Sequence, residues 1–225
     1  MQNTYNKKNI NWRWIDQQES LIASFKEQPF IIVLRPNEKD FNFPFNQQPL
    51  YSIIHKLNQK GVKHIEIGWS KHPSWMNLIK DLRYNFNQLS IGVASVTSSI
   101  ALDDIYNLDI DYAMSPFWDT ELQISALELN QILIPGVFSP TEIQKAIGFG
   151  WRMIKLFPAY SLGEEYIKKL KPSMQSLPFV IAAGGLNLGN VRPWISHGYG
   201  AIVIGRSFLN NEKNDKNLSE LIKIF

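Results

Sequence analysis

The chain contains no cysteine and only four histidines in 225 residues. The first absence excludes disulfides and every thiolate metal site, and it suits a reducing compartment. The histidines, at positions 55, 64, 72 and 197, show neither H-x-x-x-H nor clustered carboxylate spacing, so no metal is expected. Long apolar runs are missing too, and no window approaches the roughly 18 uninterrupted apolar residues that suggest a membrane span. The polar opening MQNTYNKKNINWRWIDQQ lacks the apolar stretch of a signal peptide, so the expectation is a soluble, cytoplasmic protein. Charge of one sign is scarce. Lys and Arg number 23 against 20 Asp and Glu, a formal net charge of +3, and the scattered lysines argue against nucleic acid as a partner. Neither a G-x-S-x-G elbow nor a P-loop pattern occurs.

What the chain does have is a rhythm. Hydrophobic residues make up 44% of it and concentrate in short runs: FIIVLR (30–35), HIEIG (64–68), SIGVASV (90–96), DYAMS (111–115), ILIP (132–135), MIKLF (153–157), FVIAA (179–183) and AIVIG (201–205). Runs this short and this apolar suit strands buried on both faces. Between them lie helical patterns. Leu50, Ile53, Ile54 and Leu57 fall on one helical face with Gly61 as a stop, and SPTEIQKAIG opens with a capping-box pattern, Ser139 to Glu142. NLGNVRPWISHG and EEYIKKLKPSM read as further helices, and NNEKNDKN (210–217) as a solvated loop before the last one.

Alternating strands and helices permit an open doubly wound sheet or a barrel, and a count of eight favours a closed (β/α)₈ TIM barrel. No linker divides residues 1–225, so one domain is expected. Its residues 1–29 form an N-terminal extension whose helix (14–28) covers the barrel bottom.

In such a barrel the chemistry lies at the C-terminal ends of the strands. Glu66 and Lys155 stand out, each an ionisable residue inside an apolar strand with its neighbours on the opposite face. Two readings are open, a structural ion pair plugging the barrel centre or a catalytic pair. A second cluster follows strands seven and eight. In AAGGLN and IGRSF, the residues Gly184, Gly185, Gly205, Arg206 and Ser207 let backbone N–H groups approach an anion such as phosphate, against the alternative that the glycines only make tight turns. Arg35 ends strand one, where a guanidinium can hold a carboxylate with two parallel hydrogen bonds or lie in a surface salt bridge. Ser95 and the Ser115–Pro116 pair end strands three and four and could meet a ligand, and Trp69 and Trp118 follow strands two and four as candidate pocket walls.

VLRP, GVKHIEIGW, IGVASVTS, AMSPF, LIPGVFSPTEI, MIKLFPA, AAGGLN and IGRSFL occur in this order between about residues 29 and 209. In these motifs the chain resembles the 2-keto-3-deoxy-6-phosphogluconate / 4-hydroxy-2-oxoglutarate aldolases and the related phosphogalactonate aldolases. The resemblance implies a metal-free, cofactor-free class I aldolase and a homotrimer. It implies Lys155 as the Schiff-base lysine and Glu66 as the acid/base. Arg35, Ser95, Pro116, Phe157 and the glycine loops would then bind a small, phosphorylated keto acid that is cleaved to pyruvate and an aldehyde. The sequence also departs from the gluconate branch. Ser70 stands where that branch has a carboxylate-binding arginine, Ala183 precedes the glycine pair in place of a threonine, and HPSW (72–75) and LGEEYIKKLK look like the galactonate branch. Carboxylate binding is then expected at Arg35, beside Ser95 in place of the usual threonine. A phosphate-binding barrel isomerase or synthase, or a non-catalytic phosphometabolite-binding homologue, is the alternative.

Overall fold

Apolar runs buried on both faces need partners on both edges, and the chain supplies them by curling its sheet into a barrel. The computed structural model describes residues 12–174, 176–205, 212–223 and 225. Among these, nine short parallel strands form one sheet: β1 (Phe30–Leu34), β2 (His64–Gly68), β3 (Ser90–Ala94), β4 (Tyr112–Met114), β5 (Leu133–Ile134), β6 (Gly136–Val137), β7 (Met153–Leu156), β8 (Phe179–Ala183) and β9 (Ala201–Gly205). Their order is β5-β4-β3-β2-β1-β9-β8-β7-β6.

The two ends of that order are halves of one run, parted only by Pro135. With no N–H to donate, a proline interrupts a ladder. β5 pairs with β4 through Ala113↔Leu133, and β6 pairs with β7 through Gly136↔Lys155. The Pro135 carbonyl still accepts from the Lys155 N–H at 2.9 Å. A single run therefore joins both edges of the sheet, and the architecture is a (β/α)₈ TIM barrel with its fifth strand split.

Helices alternate with the strands. α1 (Trp12–Glu27) precedes β1, and α2 (Lys39–Asn42) and α3 (Pro49–Gln59) follow it. Then come α4 (Trp75–Asn85), α5 (Ser99–Tyr106), α6 (Thr120–Glu128), α7 (Pro140–Gly148), α8 (Ala159–Leu162), α9 (Tyr166–Leu170), α10 (Val191–Ser196) and α11 (Glu212–Ile222). α3 buries Leu50, Ile54 and Leu57 and stops before Gly61, whose φ of +86° suits glycine. α7 begins with the expected capping box: Ser139 Oγ accepts from the Glu142 N–H at 3.3 Å, and Glu142 Oε2 accepts from the Ser139 N–H at 2.9 Å. α11 corrects the expectation of a loop over 210–217 from Glu212 onward, where helix begins; 210 and 211 lie outside the described residues. That stretch holds no Gly or Pro to break a helix, and buried Leu218 and Leu221 anchor it. Among the described residues no helix is long and apolar enough to cross a membrane.

α1 forms the floor. Its Phe25 is fully buried with its ring 4.9 Å from that of His64, 5.3 Å from Tyr112 and 6.3 Å from Phe179. Those three begin β2, β4 and β8, so one side chain plugs the N-terminal end of the barrel. Gln18 adds a fixed contact by accepting from the Arg152 N–H at 2.9 Å. With the bottom filled, the opposite end carries the opening.

Candidate active site

A cavity of about 380 Å³ opens at the C-terminal ends of the strands. Its wall is drawn from around the whole barrel: Arg35 after β1, Glu66 on β2, Ser95 after β3, Pro116 after β4, Lys155 and Phe157 from the β7 run, Gly184 and Gly185 after β8, and Gly205 ending β9. Strand alternation explains why Glu66 and Lys155 reach it. Ile65 and Ile67, like Ile154 and Leu156, turn to the other face and pack beneath the helices.

Both groups are buried, Glu66 completely and Lys155 with 6% of its surface exposed. Neither carboxylate oxygen of Glu66 has a hydrogen-bond partner. Loss of water is the dominant influence on each and favours the neutral form. Burial lowers the Lys155 pKa below its ordinary 10.5; the Glu66 charge opposes that, and Arg35 adds to it. Burial raises the Glu66 pKa above 4.5, against the pull of Lys155 and Arg35. The Lys155 Nζ also lies 5.2 Å from the centre of the Phe157 ring. The site thus holds an amine that readily loses its proton beside a carboxyl that readily keeps one, the protonation states that nucleophilic and acid/base chemistry require.

Arg35 leans across the rim to Ser95, its Nη1 donating to Ser95 Oγ at 3.1 Å. Gly68 leaves room for this, because a Cβ there would lie 3.1 Å from Nη1. Ser95 has φ of +65°, a conformation that costs a non-glycine residue on the order of 1–3 kcal/mol and that clusters at functional sites. On the far side Gly184 and Gly185 have φ of +94° and +80°, and a side chain on Gly185 would meet the Tyr160 Cβ at 2.7 Å. Only glycine fits this approach of backbone to cavity.

Nine of the expected site residues thus share one cavity: Lys155, Glu66, Arg35, Ser95, Pro116, Phe157, Gly184, Gly185 and Gly205. Arg206 and Ser207 lie outside the described residues. Trp69 and Trp118 do not line the cavity. The Trp69 indole donates to Asp104 Oδ2 at 2.9 Å, and Trp118 packs edge-on against Phe149, so the rings fasten helices. Ser115 is structural as well, donating to the Phe117 carbonyl and accepting from the Gly136 N–H. Ser70 stays out of the cavity and accepts from the His72 N–H at 3.2 Å. Sequence reasoning missed Asn187, which lines the cavity while its Oδ1 accepts from the Gly189 N–H. An asparagine two residues after the paired glycines was the available signal.

Fold and site together define a class: TIM barrels that bury a lysine and a carboxylic acid in one glycine-lined cavity. The chain belongs to the KDPG and KHG aldolase family, whose model matches residues 26–224. It is 28% identical over 115 residues to the 2-dehydro-3-deoxy-6-phosphogalactonate aldolase of Escherichia coli (strain K12), covering 51% of this chain and 56% of that protein. A 2-dehydro-3-deoxy-phosphogluconate aldolase of Treponema pallidum (strain Nichols) is 24% identical over 119 residues, 53% of this chain and 57% of that one. The chain thus spans little more than half the length of these curated relatives. In fold the likeness is broader. The structure of a KDPG aldolase from Legionella pneumophila, with pyruvate captured as a covalent carbinolamine, matches 90% of this chain and 96% of that one at 22% identity and a TM-score of 0.73.

Proposed function

We propose that the protein is a class I aldolase that reversibly cleaves a 2-keto-3-deoxy-6-phospho sugar acid, 4-hydroxy-2-oxoglutarate, or both, to pyruvate and an aldehyde. One observation carries the reading: the desolvated Lys155 amine and the buried Glu66 carboxyl line the same cavity at the reactive end of the barrel. The carbinolamine in the Legionella pneumophila relative supports it.

The neutral Lys155 amine attacks the C2 carbonyl of the keto acid, and the protonated Glu66 carboxyl gives its proton to the departing hydroxyl, so that water leaves and an iminium and a Glu66 carboxylate remain. Glu66 takes the C4 hydroxyl proton as the C3–C4 bond breaks. The electron pair of that bond moves into the iminium, the aldehyde departs, and an enamine of pyruvate remains. Glu66 returns its proton to C3, and water hydrolyses the new iminium to pyruvate and the free amine, with the released proton going back to the Glu66 carboxylate. The iminium is the electron sink, so the cycle works in the cytoplasm without metal or organic cofactor. Arg35, set by Ser95, holds the keto acid's carboxylate, and the backbone N–H groups of Gly184 and Gly185 receive the phosphate.

Incubation with pyruvate and borohydride tests the reading, with a reduced pyruvyl adduct on Lys155 as the expected product. A folded sample that binds pyruvate and yields no adduct would sink it. Arg35→Lys keeps the charge but loses the fork, so KM for the keto acid should rise roughly tenfold with little change in kcat. Steady-state kinetics decide this, and an unchanged KM would remove Arg35 from carboxylate binding. The active form is a homotrimer. Phe117, Phe138 and Tyr160, on the segments after β4, β6 and β7, are all exposed near the mouth and support such an interface. Light scattering should return three times the chain mass, and a monomeric mass would count against the trimer.

A further inference from the structure

One polar side chain of the cavity wall has no part in the chemistry above. Leu186, Asn187 and Leu188 follow the paired glycines; the two leucines are buried, while the asparagine between them is exposed and lines the cavity. Asn187 is extended, with φ of −134° and ψ of 178°, and extended backbone turns successive side chains to opposite sides. Anchored leucines on either side therefore keep it facing the ligand space.

Its orientation is also fixed from behind. Asn187 Oδ1 caps the short turn Leu188–Asn190 by accepting from the Gly189 N–H at 2.9 Å, and the Asn187 N–H donates to Asn190 Oδ1 at 2.9 Å. An asparagine side chain has one acceptor end and one donor end. With the acceptor committed to the turn, Nδ2 is the end left over, and no hydrogen bond within the described residues ends on it. A side chain already locked in place loses little freedom on meeting a ligand. The order of the strands shows what this donor faces. Arg35, the carboxylate anchor, reaches to Ser95 after β3. With β5 and β6 counted as one strand, β8 stands four places from β3 in either direction, so Asn187 lies on the opposite rim. Lys155, on β7, stands on the strand next to β8. A keto acid held by its carboxylate and joined to Lys155 at C2 thus sends its remote end toward Asn187.

We propose that Asn187 is a specificity-determining residue, its Nδ2 amide donating a hydrogen bond to the phosphate at the remote end of the substrate. The assignment rests on the aldolase reading and deepens it, since it makes the enzyme prefer a phosphorylated keto acid over the same acid without phosphate. The donor is the side chain itself, not the end of α10, which has only six residues. Beside the Gly184 and Gly185 N–H groups, which no substitution can remove, Asn187 supplies a donor that a single change of amide to carboxylate inverts.

Aspartate caps a turn as well as asparagine does, and glycine nearly so, so Asn187→Asp and Asn187→Gly should both fold and melt close to the wild type. The first sets a negative charge against the phosphate, and the second only drops the donor. Two substrates that differ in one group are the probes, a 2-keto-3-deoxy-6-phospho sugar acid and its dephosphorylated form. The ratio of their kcat/KM values should fall about tenfold in Asn187→Gly and further in Asn187→Asp, chiefly through KM of the phosphorylated acid. Added salt should shrink the extra loss in Asn187→Asp, as it does any repulsion between exposed charges. A wild-type ratio in both variants would overturn the proposal, and so would an equal loss on the two substrates, the mark of a merely structural role. If pyruvate and borohydride leave no adduct on the wild type, the aldolase reading fails instead. Calorimetry with inorganic phosphate then still decides, and equal affinity for wild type and Asn187→Asp would remove Asn187 as a phosphate ligand.

Discussion

Lys155→Met should form no pyruvyl adduct and should lose at least about 10⁴-fold in turnover. Removing a covalent nucleophile leaves only binding and positioning, and such deletions are among the costliest known in enzymes. Methionine is the informative replacement. It fills nearly the same volume in β7, keeps the neighbouring Ile154 and Leu156 packing, and cannot add to a carbonyl. Two measurements read the result, mass spectrometry after borohydride reduction and pyruvate release from a keto-acid substrate. A variant that keeps wild-type turnover would show that the lysine is electrostatic only. An adduct at a different lysine would move the nucleophile, and would leave unexplained why an amine is desolvated between Glu66 and Phe157.

The barrel was legible because burial on both faces writes itself into β1 or β9 as an unbroken apolar run, and capping residues such as Ser139 mark helix starts directly. Closure was legible only as a count. That one run serves both edges depends on pairings between residues far apart in sequence, and Pro135, read locally, simply ends a strand. The polar stretch from Glu212 misled for a related reason. Few apolar residues show the helical period there, and the two that anchor it, Leu218 and Leu221, come at its end. In the site, Glu66 and Lys155 were conspicuous because a charge in an apolar strand is costly. The contact of Arg35 with Ser95 and the passage of Tyr112 over Gly92 left no such trace. A tyrosine opening a strand and a glycine inside one are ordinary in sequence, and only the register sets the buried Tyr112 ring over Gly92. Trp69 and Trp118 show the converse. Their positions after strands suggested a pocket, but their rings turn to the helices.

Glu66→Gln should lower turnover by about 10²–10⁴-fold, the usual worth of a positioned acid/base, while making the protein harder to unfold at neutral pH. The sign of the stability change follows from linkage. Because burial raises the Glu66 pKa above 4.5, the native state holds a proton that the unfolded chain has already released. Its contribution is intact below pH 4.5 and is lost as pH rises through the native pKa, and glutamine, which does not titrate, escapes that loss. The gap in melting temperature between variant and wild type should therefore open above pH 4.5 and then level off. Lys155 has the opposite sign. Its pKa is lowered from 10.5, so its contribution is present above that pH and is lost as pH falls through the native value. Replacing both groups, as Glu66→Gln with Lys155→Met, removes two desolvated ionisable groups and should stabilise by about 1–4 kcal/mol. For a chain of this length that is about 2–4 °C in melting temperature per kcal/mol. A melting series across pH on the two variants reads both signs. A double variant less stable than the wild type would mean that the two groups hold the barrel together, the structural ion pair that the strands alone also allowed.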